Sequence, residues 1–348
     1  MINKTPASIF IFVLLMIYVG SNLFAIHDLN DMHESFILET KKIEIPEYPT
    51  AFNPSITKWK GKPLMCFRIR DPLTKSTNQI GFVWLTDDFN LDGAPTVLKR
   101  FNEYPNELAS RPTMTQEPRL ITLNEELYLV YSNVFPMPSG KFKPRMVMSL
   151  VQYDGNSFSI DTPQPILVFE GNDPEKQEKN WVPFIYEGSL LQTYSISPHR
   201  VLLPVPLENA CLPFSISHKE ITWDWGVLRG GSPAQKIGDR YLAFFHSLKG
   251  MKSVQSDEQN MTHYFMGAYT FEINPPFKIT GISSKPIAAN SFYEGPMYQT
   301  WKPLRVVYPG GFIYDNDFIW VAYGRQDHEI WVVKLNRKGL MNSLKPLE

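Results

Sequence analysis

PRLITLNEELYLVYS, Pro118 to Ser132, is the phrase on which the fold turns. A Pro opens it, an apolar stretch follows, a short polar turn comes next, and an apolar-aromatic run closes on a polar residue. Apolar, β-branched and aromatic residues on both sides of a polar turn predict two paired strands. The phrase returns from Pro54 to Arg68 (PSITKWKGKPLMCFR), Pro183 to Ser195, Pro233 to Ser247 and Pro309 to Gly324. Copies are spaced by roughly 50 to 75 residues, where a propeller blade of four strands takes about 40 to 50. Such units can pack as a sandwich or close as a propeller. The repeat is too long for one hairpin and suits a blade, so the expectation is all-β: a five-bladed β-propeller.

The stretches around each copy agree. Pro63 to Ile69, Ile80 to Trp84, Met146 to Val151, Arg200 to Pro204, Tyr264 to Ile273 and Glu329 to Leu335 read as strands. Turn chemistry separates them at Asp87-Asp88-Phe89-Asn90 and Asp154-Gly155-Asn156. No stretch holds a 3.6-residue apolar period for long, so helix is expected to be minor. Asp173 to Lys179 and Lys252 to Asn260 read as exposed loops, either plain surface or lids over a site.

Composition narrows the function. The chain has 348 residues, a formal net charge of −1 and 43% hydrophobic residues. That is enough for one large domain with a full core. Near-zero charge argues against a nucleic-acid partner, which needs a concentrated basic face. Cys66 lies in an apolar strand and Cys211 in an apolar loop. Two buried thiols are the plain reading, and a Cys66–Cys211 disulfide in an oxidising compartment is the alternative. Nothing has zinc spacing, so no metal is expected.

The N-terminus differs from the rest. Lys4 precedes an apolar run from Ser8 to Ala25, and acidic residues follow at Asp28, Asp31 and Glu34. The run fits a secretory signal with Ala25 as a cleavage residue, although Leu23 suits that site poorly. It is also near the ~17–20 residues that span a bilayer. The expected organisation is a signal peptide or membrane anchor over 1–26 and a propeller catalytic domain over 27–348. The protein would then be exported or membrane-anchored, meeting a membrane only through that segment.

In a propeller the innermost strands run beside a central funnel, so polar residues flanking each repeat converge. Those are Arg68, Arg70 and Asp71; Glu117 and Arg119; Lys179, Asn180 and His199; Arg229, Ser232 and His246; and Glu294, Arg325, Asp327 and His328. Carboxylates, cations and aromatics together describe a pocket for a hydroxylated ligand. Each residue also has a plainer role. Glu117 could cap a strand, Arg119 could pair with Glu117 or another blade, His199 and His246 could be satisfied core histidines, and Asp327 could serve a turn. The sequence holds no G-x-S-x-G elbow, P-loop, G-x-G-x-x-G after a strand, or H-E-x-x-H. Paired carboxylates remain the best catalytic device, and glycoside cleavage needs two of them from different elements. Glu117, Glu294 and Asp327 meet that requirement.

Asn53-Pro54, Phe67-Arg68, Gln116-Glu117-Pro118-Arg119, Lys179-Asn180, Pro183-Phe184, His199, Gly230-Gly231, Phe245-His246, Tyr293-Glu294, Tyr308-Pro309-Gly310 and Tyr323-Gly324 with Asp327 carry a resemblance. In this order the sequence resembles glycoside hydrolase family 130, five-bladed propellers acting on β-mannosides, and related mannosyltransferase-phosphorylases. The resemblance spans about residues 50 to 335. It implies Glu117 as general acid, where the family usually has Asp in Glu-Asp-Pro-Arg; Gln116 and Glu117 depart from that motif. It implies Arg68, Arg119, Lys179 and His199 as phosphate-binding cations, with inorganic phosphate as a co-substrate and no other cofactor. Asn180 and His246 join the substrate-binding set, and Asp327 or Glu294 would position substrate or activate the nucleophile. The expected partner is an oligosaccharide or glycoconjugate. A glycosyltransferase on the same fold and a non-catalytic glycan- or protein-binding propeller are the rival readings.

Overall fold

The computed structural model describes residues 26–70, 78–98, 115–161, 163–166, 171, 173, 175–298 and 302–347. The apolar Ser8–Ala25 run and Asp71 lie outside the described residues, so the expectations for them are not addressed by it. Among the described residues no helix is long and apolar enough to cross a membrane.

The chain is all-β and forms a β-propeller. Strand β1 (Ile37–Ile43) comes first, outside the repeats. Strands β2 (Phe52–Trp59), β3 (Lys62–Arg70), β4 (Asn78–Trp84) and β5 (Thr96–Val97) make a sheet in that order. Next come β6 (Gln116–Leu123), β7 (Glu126–Pro136) and β8 (Phe142–Tyr153), with β9 (Phe158–Ile160) and β10 (Gln164–Pro165) both on β8. A third sheet runs β11 (Val182–Tyr186), β12 (Ser189–Ser195), β13 (His199–Val205) and β14 (Ala210–Ser217).

The fourth sheet is the irregular one, with seven strands. Strands β15 (Val227–Gly230) and β16 (Gln235–Ile237) both pair with β17 (Arg240–Met251). Strands β18 (Met261–Glu272) and β19 (Ile279–Ser283) follow, and β20 (Leu304–Arg305) runs parallel to β18. The last sheet holds β21 (Val307–Tyr314), β22 (Phe318–Arg325) and β23 (Glu329–Asn336). Strand β1 completes it by pairing antiparallel with β23. Strand β24 (Leu344–Pro346) returns to the edge of β19. Four sheets are therefore plain antiparallel ladders and the fourth carries extra strands.

Each sheet buries both faces, which explains the unbroken apolar runs. In β3, Leu64 and Cys66 pack with Leu127, Leu129 and Val147 of the second sheet. The alternate residues Met65 and Phe67 pack with Ala322, Ile330 and Val332 of the last sheet. The period of two sends successive side chains to opposite neighbours, so no position in the run can be polar. Similar seams join the second and third sheets through Ile121, Val130, Trp181 and Leu202. Phe184 meets Tyr241 and Phe271 between the third and fourth. Phe244 meets Phe312 between the fourth and last. Each such ring buried contributes about 1.5–3 kcal/mol before entropy is counted. Cys66 and Cys211 are separate buried thiols in different seams, and Cys211 lies in β14 rather than in a loop.

Four of the five repeat Pro residues sit where the inner strands break; Pro183 pairs in register within β11. Register shifts fall at Phe52/Ser55, Gln116/Arg119 and Pro309/Gly311, beside Pro54, Pro118 and Pro309. In the fourth sheet the interruption is complete: β15 and β16 are one inner strand split around Pro233. Pro has no N–H for the ladder, so pairing lapses there and the chain bulges. Glycines then let the backbones converge. A Cβ at Gly230 would stand 2.0 Å from the Asn180 carbonyl oxygen, and one at Gly310 would stand 1.9 Å from that of Pro54.

Candidate functional site

The break beside each Pro also aims side chains inward. Asn53, just before Pro54, has φ +48°, and Glu117, just before Pro118, has φ +55°. Asn180, just ahead of β11, has φ +66°. Left-handed backbone at a non-glycine costs about 1–2 kcal/mol. Three polar residues hold it at comparable points of three sheets, and Asn53, Glu117 and Asn180 are all buried. Asp327 arrives from the turn between β22 and β23, where Gln326 (φ +55°) and Asp327 (φ +53°) are both left-handed. That turn is pinned. Gln326 N–H donates to Val306 O, Val306 N–H donates to Gln326 Oε1, and His328 stacks on Tyr298 at 4.3 Å.

Glu117 is the centre of the cluster. Its Oε1 lies 3.4 Å from Lys179 Nζ, and its Oε2 is buried without a hydrogen-bond partner. Burial alone would raise its pKa, but Lys179, Arg119, His246 and Arg68 outweigh that and hold it below the usual carboxylate value. Asp327 goes the other way. It keeps some exposed surface but sits deep among protein, and desolvation raises its pKa; Glu117 adds to the rise, while Arg68 and Arg70 oppose it. Two carboxyls from separate sheets thus share one cation, Arg68, and are shifted in opposite directions from their ordinary values.

Arg68 links them. Its guanidinium lies over the Phe52 ring at 4.7 Å, its Nε donates to Asn78 Oδ1 at 3.0 Å, and both carboxylates act on it. Burial brings its pKa down to about 10, still charged at neutral pH. Arg70 covers the same Phe52 ring at 5.0 Å. His246 is buried, and its Nδ1 donates to Gly230 O at 2.9 Å. Burial pushes its pKa down to about 3, so the ring is neutral. It stacks flat on Tyr264 at 5.7 Å and meets Tyr308 edge-on at 5.0 Å. A cavity of about 860 Å³ opens beside the cluster, reached by Lys179, Asn180 and Tyr264 and walled by Trp181, Tyr194 and Arg229.

Three expected site residues are placed otherwise. Arg119 is 0% exposed and its donors are committed. Nε donates to Gly231 O at 2.6 Å, one terminal nitrogen to Glu117 O at 2.9 Å, and the other to Tyr308 Oη at 2.6 Å and Asn180 Oδ1 at 3.3 Å. It ties four sheets together at the axis and acts on Glu117 through its charge rather than offering an open fork to phosphate. His199 is 1% exposed in the third-fourth seam. Its Nδ1 donates to Phe277 O at 2.7 Å, Nε2 faces Thr193 Oγ1 at 3.2 Å, and burial lowers its pKa to about 4. It is a neutral core histidine and brings no cation to the cluster. Glu294 is exposed at the end of the short helix Asn290–Tyr293, whose Tyr293 ring is the buried partner.

Tyr264 is the residue that the sequence reading passed over, and Tyr308, quoted there only in Tyr308-Pro309-Gly310, was not counted among the site residues. Tyr308 was findable, since it precedes Pro309 as Glu117 precedes Pro118 and Asn53 precedes Pro54. Tyr264 had no such signal. It reads as one more aromatic in a long strand, and only the fold sets it against His246. Among the described residues no three His, Cys, Asp or Glu side chains converge as metal ligands.

No protein-family model matches the sequence, and no curated protein does. Solved structures do match the fold. A structure from work on the GH130 family of mannoside phosphorylases, which contains glycoside hydrolases targeting β-1,2 mannosidic linkages in Candida mannan, superposes with TM-score 0.59 at 14% identity. The match covers 83% of this chain and 85% of that one. The β-1,2-mannobiose phosphorylase of Listeria innocua, bound to β-1,2-mannobiose, gives 0.57 at 15% identity over 88% and 93%. The mannose phosphorylase MPT-4 of Leishmania mexicana, bound to phosphate ion, gives 0.55 at 12% identity over 90% and 92%. At such identities the likeness is one of fold, and what this chain shares with these proteins is the β-propeller over most of its length.

Proposed function

We propose that this chain is a glycoside-cleaving enzyme, a divergent relative of glycoside hydrolase family 130 acting on β-mannosides or closely similar glycosides at the centre of a five-bladed propeller. The five sheets are read as five blades, the seven-stranded sheet being a four-stranded blade (β15/β16, β17, β18, β19) with β20 and β24 added. The observation that carries the reading is the Glu117–Asp327 pair: two carboxyls from different blades that both act on Arg68, Glu117 held below its ordinary value by cations and Asp327 raised above its own by burial. Environments that act on two carboxyls in opposite directions are a way to give one the part of acid and the other that of base. The structural neighbours include mannoside phosphorylases, which supports the substrate class.

The roles this favours reverse the order expected from the sequence. Asp327, whose proton affinity burial raises, protonates the leaving oxygen. Glu117, kept ionised beside Lys179, accepts a proton from the attacking group. Tyr264 and His246 present an aromatic wall and a neutral imidazole to the sugar. Bond cleavage balances as one proton delivered to the leaving oxygen and one taken from the acceptor.

Phosphate as the acceptor is a second reading, favoured by Arg68, Arg70 and Lys179 around the two carboxyls. It is weakened by Arg119 and His199, which the fold uses elsewhere. The experiment is product analysis with purified protein and a panel of β-mannobioses, with and without phosphate. Free mannose in both conditions identifies a hydrolase, and mannose 1-phosphate only with phosphate identifies a phosphorylase. No product from any β-mannoside overturns the reading.

A further inference from the structure

Arg325 and Glu329 face each other across the base of the turn that carries Asp327. They form the last cross-strand pair of β22 and β23, and Gln326, Asp327 and His328 lie between them. Left-handed backbone at two successive non-glycine residues, here Gln326 and Asp327, is unfavourable and persists only where the surroundings fix it. The two bonds between Gln326 and Val306 fix one side of the turn. The other side rests on Glu329.

Glu329 is buried, and both of its carboxylate oxygens are used. Oε2 accepts from Arg325 Nε and from Trp331 Nε1 at 2.9 Å, and Oε1 accepts from Tyr298 Oη at 2.9 Å. Strand β1 adds Lys42, which pairs across from Trp331 and brings its Nζ to 3.7 Å from Oε1. Burial alone would raise the pKa of Glu329, but the bonds from Arg325, Trp331 and Tyr298 outweigh it and hold the carboxyl below its usual value. Arg325 in turn lies over the Trp331 ring at 4.4 Å and donates to Ser291 O at 2.7 Å. Tyr298 reaches both ends of the brace. Its hydroxyl holds Glu329 while its ring lies flat on His328, with 4.3 Å between centroids and 7° between planes. One carboxylate thus ties β22, β23, β1 and the chain ahead of β20 to the turn that bears Asp327.

We propose that Glu329 and Tyr298 are positioning residues for Asp327: they act on the reaction through the turn, by keeping the Asp327 carboxyl where glycoside cleavage needs it. The inference rests on the reading of Asp327 as the acid. Reacting groups tolerate little displacement, so a brace outside the funnel can govern turnover without meeting the sugar.

Amide hydrogen exchange and turnover of β-mannobioses, both on the full chain, test it in Y298F and E329Q. The Gln326 and His328 amides donate to Val306 O and Arg325 O, and should exchange about tenfold or more faster in both variants. The amide of Val321, in the middle of β22, should stay as slow as in wild type. The kcat should fall about 10–100-fold while KM stays within about threefold. In a D327N background the same substitutions should change the remaining turnover by less than about twofold, because nothing is left to position. E329Q leaves Arg325 buried without its counter-charge; if that variant melts early, Y298F decides, since it keeps the ring and the ion pair. Wild-type protection of both amides in Y298F overturns the proposal. So does faster exchange with kcat unchanged, or a loss as large in D327N as in the wild-type background. No product from the wild-type protein sinks the glycoside reading instead, and exchange of the two amides then decides the brace alone.

Discussion

Lys179 Nζ sits 3.4 Å from one oxygen of Glu117, while the other oxygen is buried with no hydrogen-bond partner. The carboxylate is held ionised by charge more than by hydrogen bonds. Replacing Glu117 by Gln keeps the shape and removes the charge. Turnover on β-mannosides should fall about 10²–10⁴-fold, the range for general acid-base residues. Disaccharide affinity should change far less. Turnover within a few-fold of wild type would remove Glu117 from the mechanism.

The pH profile follows from the two carboxyls. Activity requires Glu117 ionised and Asp327 protonated. It should fall at low pH as Glu117 takes a proton, below the ordinary carboxylate value of 4.5, and at higher pH as Asp327 loses one, above its ordinary 3.8. K179M removes the largest force lowering Glu117, so the acid limb of kcat/KM should move to higher pH. D327N should abolish the alkaline limb along with most of the activity. An acid limb unmoved in K179M would show that Glu117 does not set it.

Arg119 is expected to matter for the fold before it matters for chemistry. R119K keeps the charge but cannot reach Gly231, Glu117, Tyr308 and Asn180 together. Losing two or three such bonds in a buried site should cost about 3 kcal/mol or more. Urea denaturation measures this, and a midpoint within error of wild type would contradict the role of axial tie.

Gly310 should tolerate no side chain. G310A would put a Cβ 1.9 Å from the Pro54 carbonyl oxygen, backbone against backbone, with no flexible end to yield. Overpacking of this kind costs about 1–3 kcal/mol and sometimes more. G188A, on an exposed turn with open space around it, is the control for a general glycine effect, though its φ of +74° carries its own strain. Equal melting temperatures for the two variants would refute the steric argument.

Three buried histidines should shape acid stability. His199 and His263 have pKa values lowered to about 4 and His246 to about 3, each mainly by burial, from an ordinary 6.5. Below pH 6.5 the unfolded chain takes up protons that the native state refuses, so stability present above pH 6.5 is lost as pH falls toward 4. Each histidine contributes up to about 2 kcal/mol of that loss by pH 5. Stability measured from pH 7.5 to 5 should decline, and H199Q should start lower but decline less. A parallel decline in H199Q would exclude His199 as a source.

The sequence announced the inner strands because Pro54, Pro118, Pro233 and Pro309 act locally, each at a break or register shift of its inner strand, while Pro183 marks its strand without interrupting the ladder. Glu117 was legible for the same reason, as a polar residue beside an interruption, and Asn180 as a polar residue at the entry to β11. Arg119 and His199 were not. Their roles depend on Gly231, Tyr308 and Phe277, each at least 78 residues distant along the chain, and sequence alone does not say which donors such partners consume. Strand β1 was missed too, because Lys41 and Lys42 give it the polarity of a linker. It can be strand because it is an outer edge, with only its ends buried.

That edge strand joins the beginning of the chain to its end. Ribosomal synthesis delivers Ile37–Ile43 some three hundred residues before the β23 strand it must pair with. Until Asn336 has left the ribosome, the first sheet has one flank uncovered, its Met65 and Phe67 awaiting Ile330 and Val332. Until then the nascent propeller is an open arc with apolar flanks, and ring closure waits for β23.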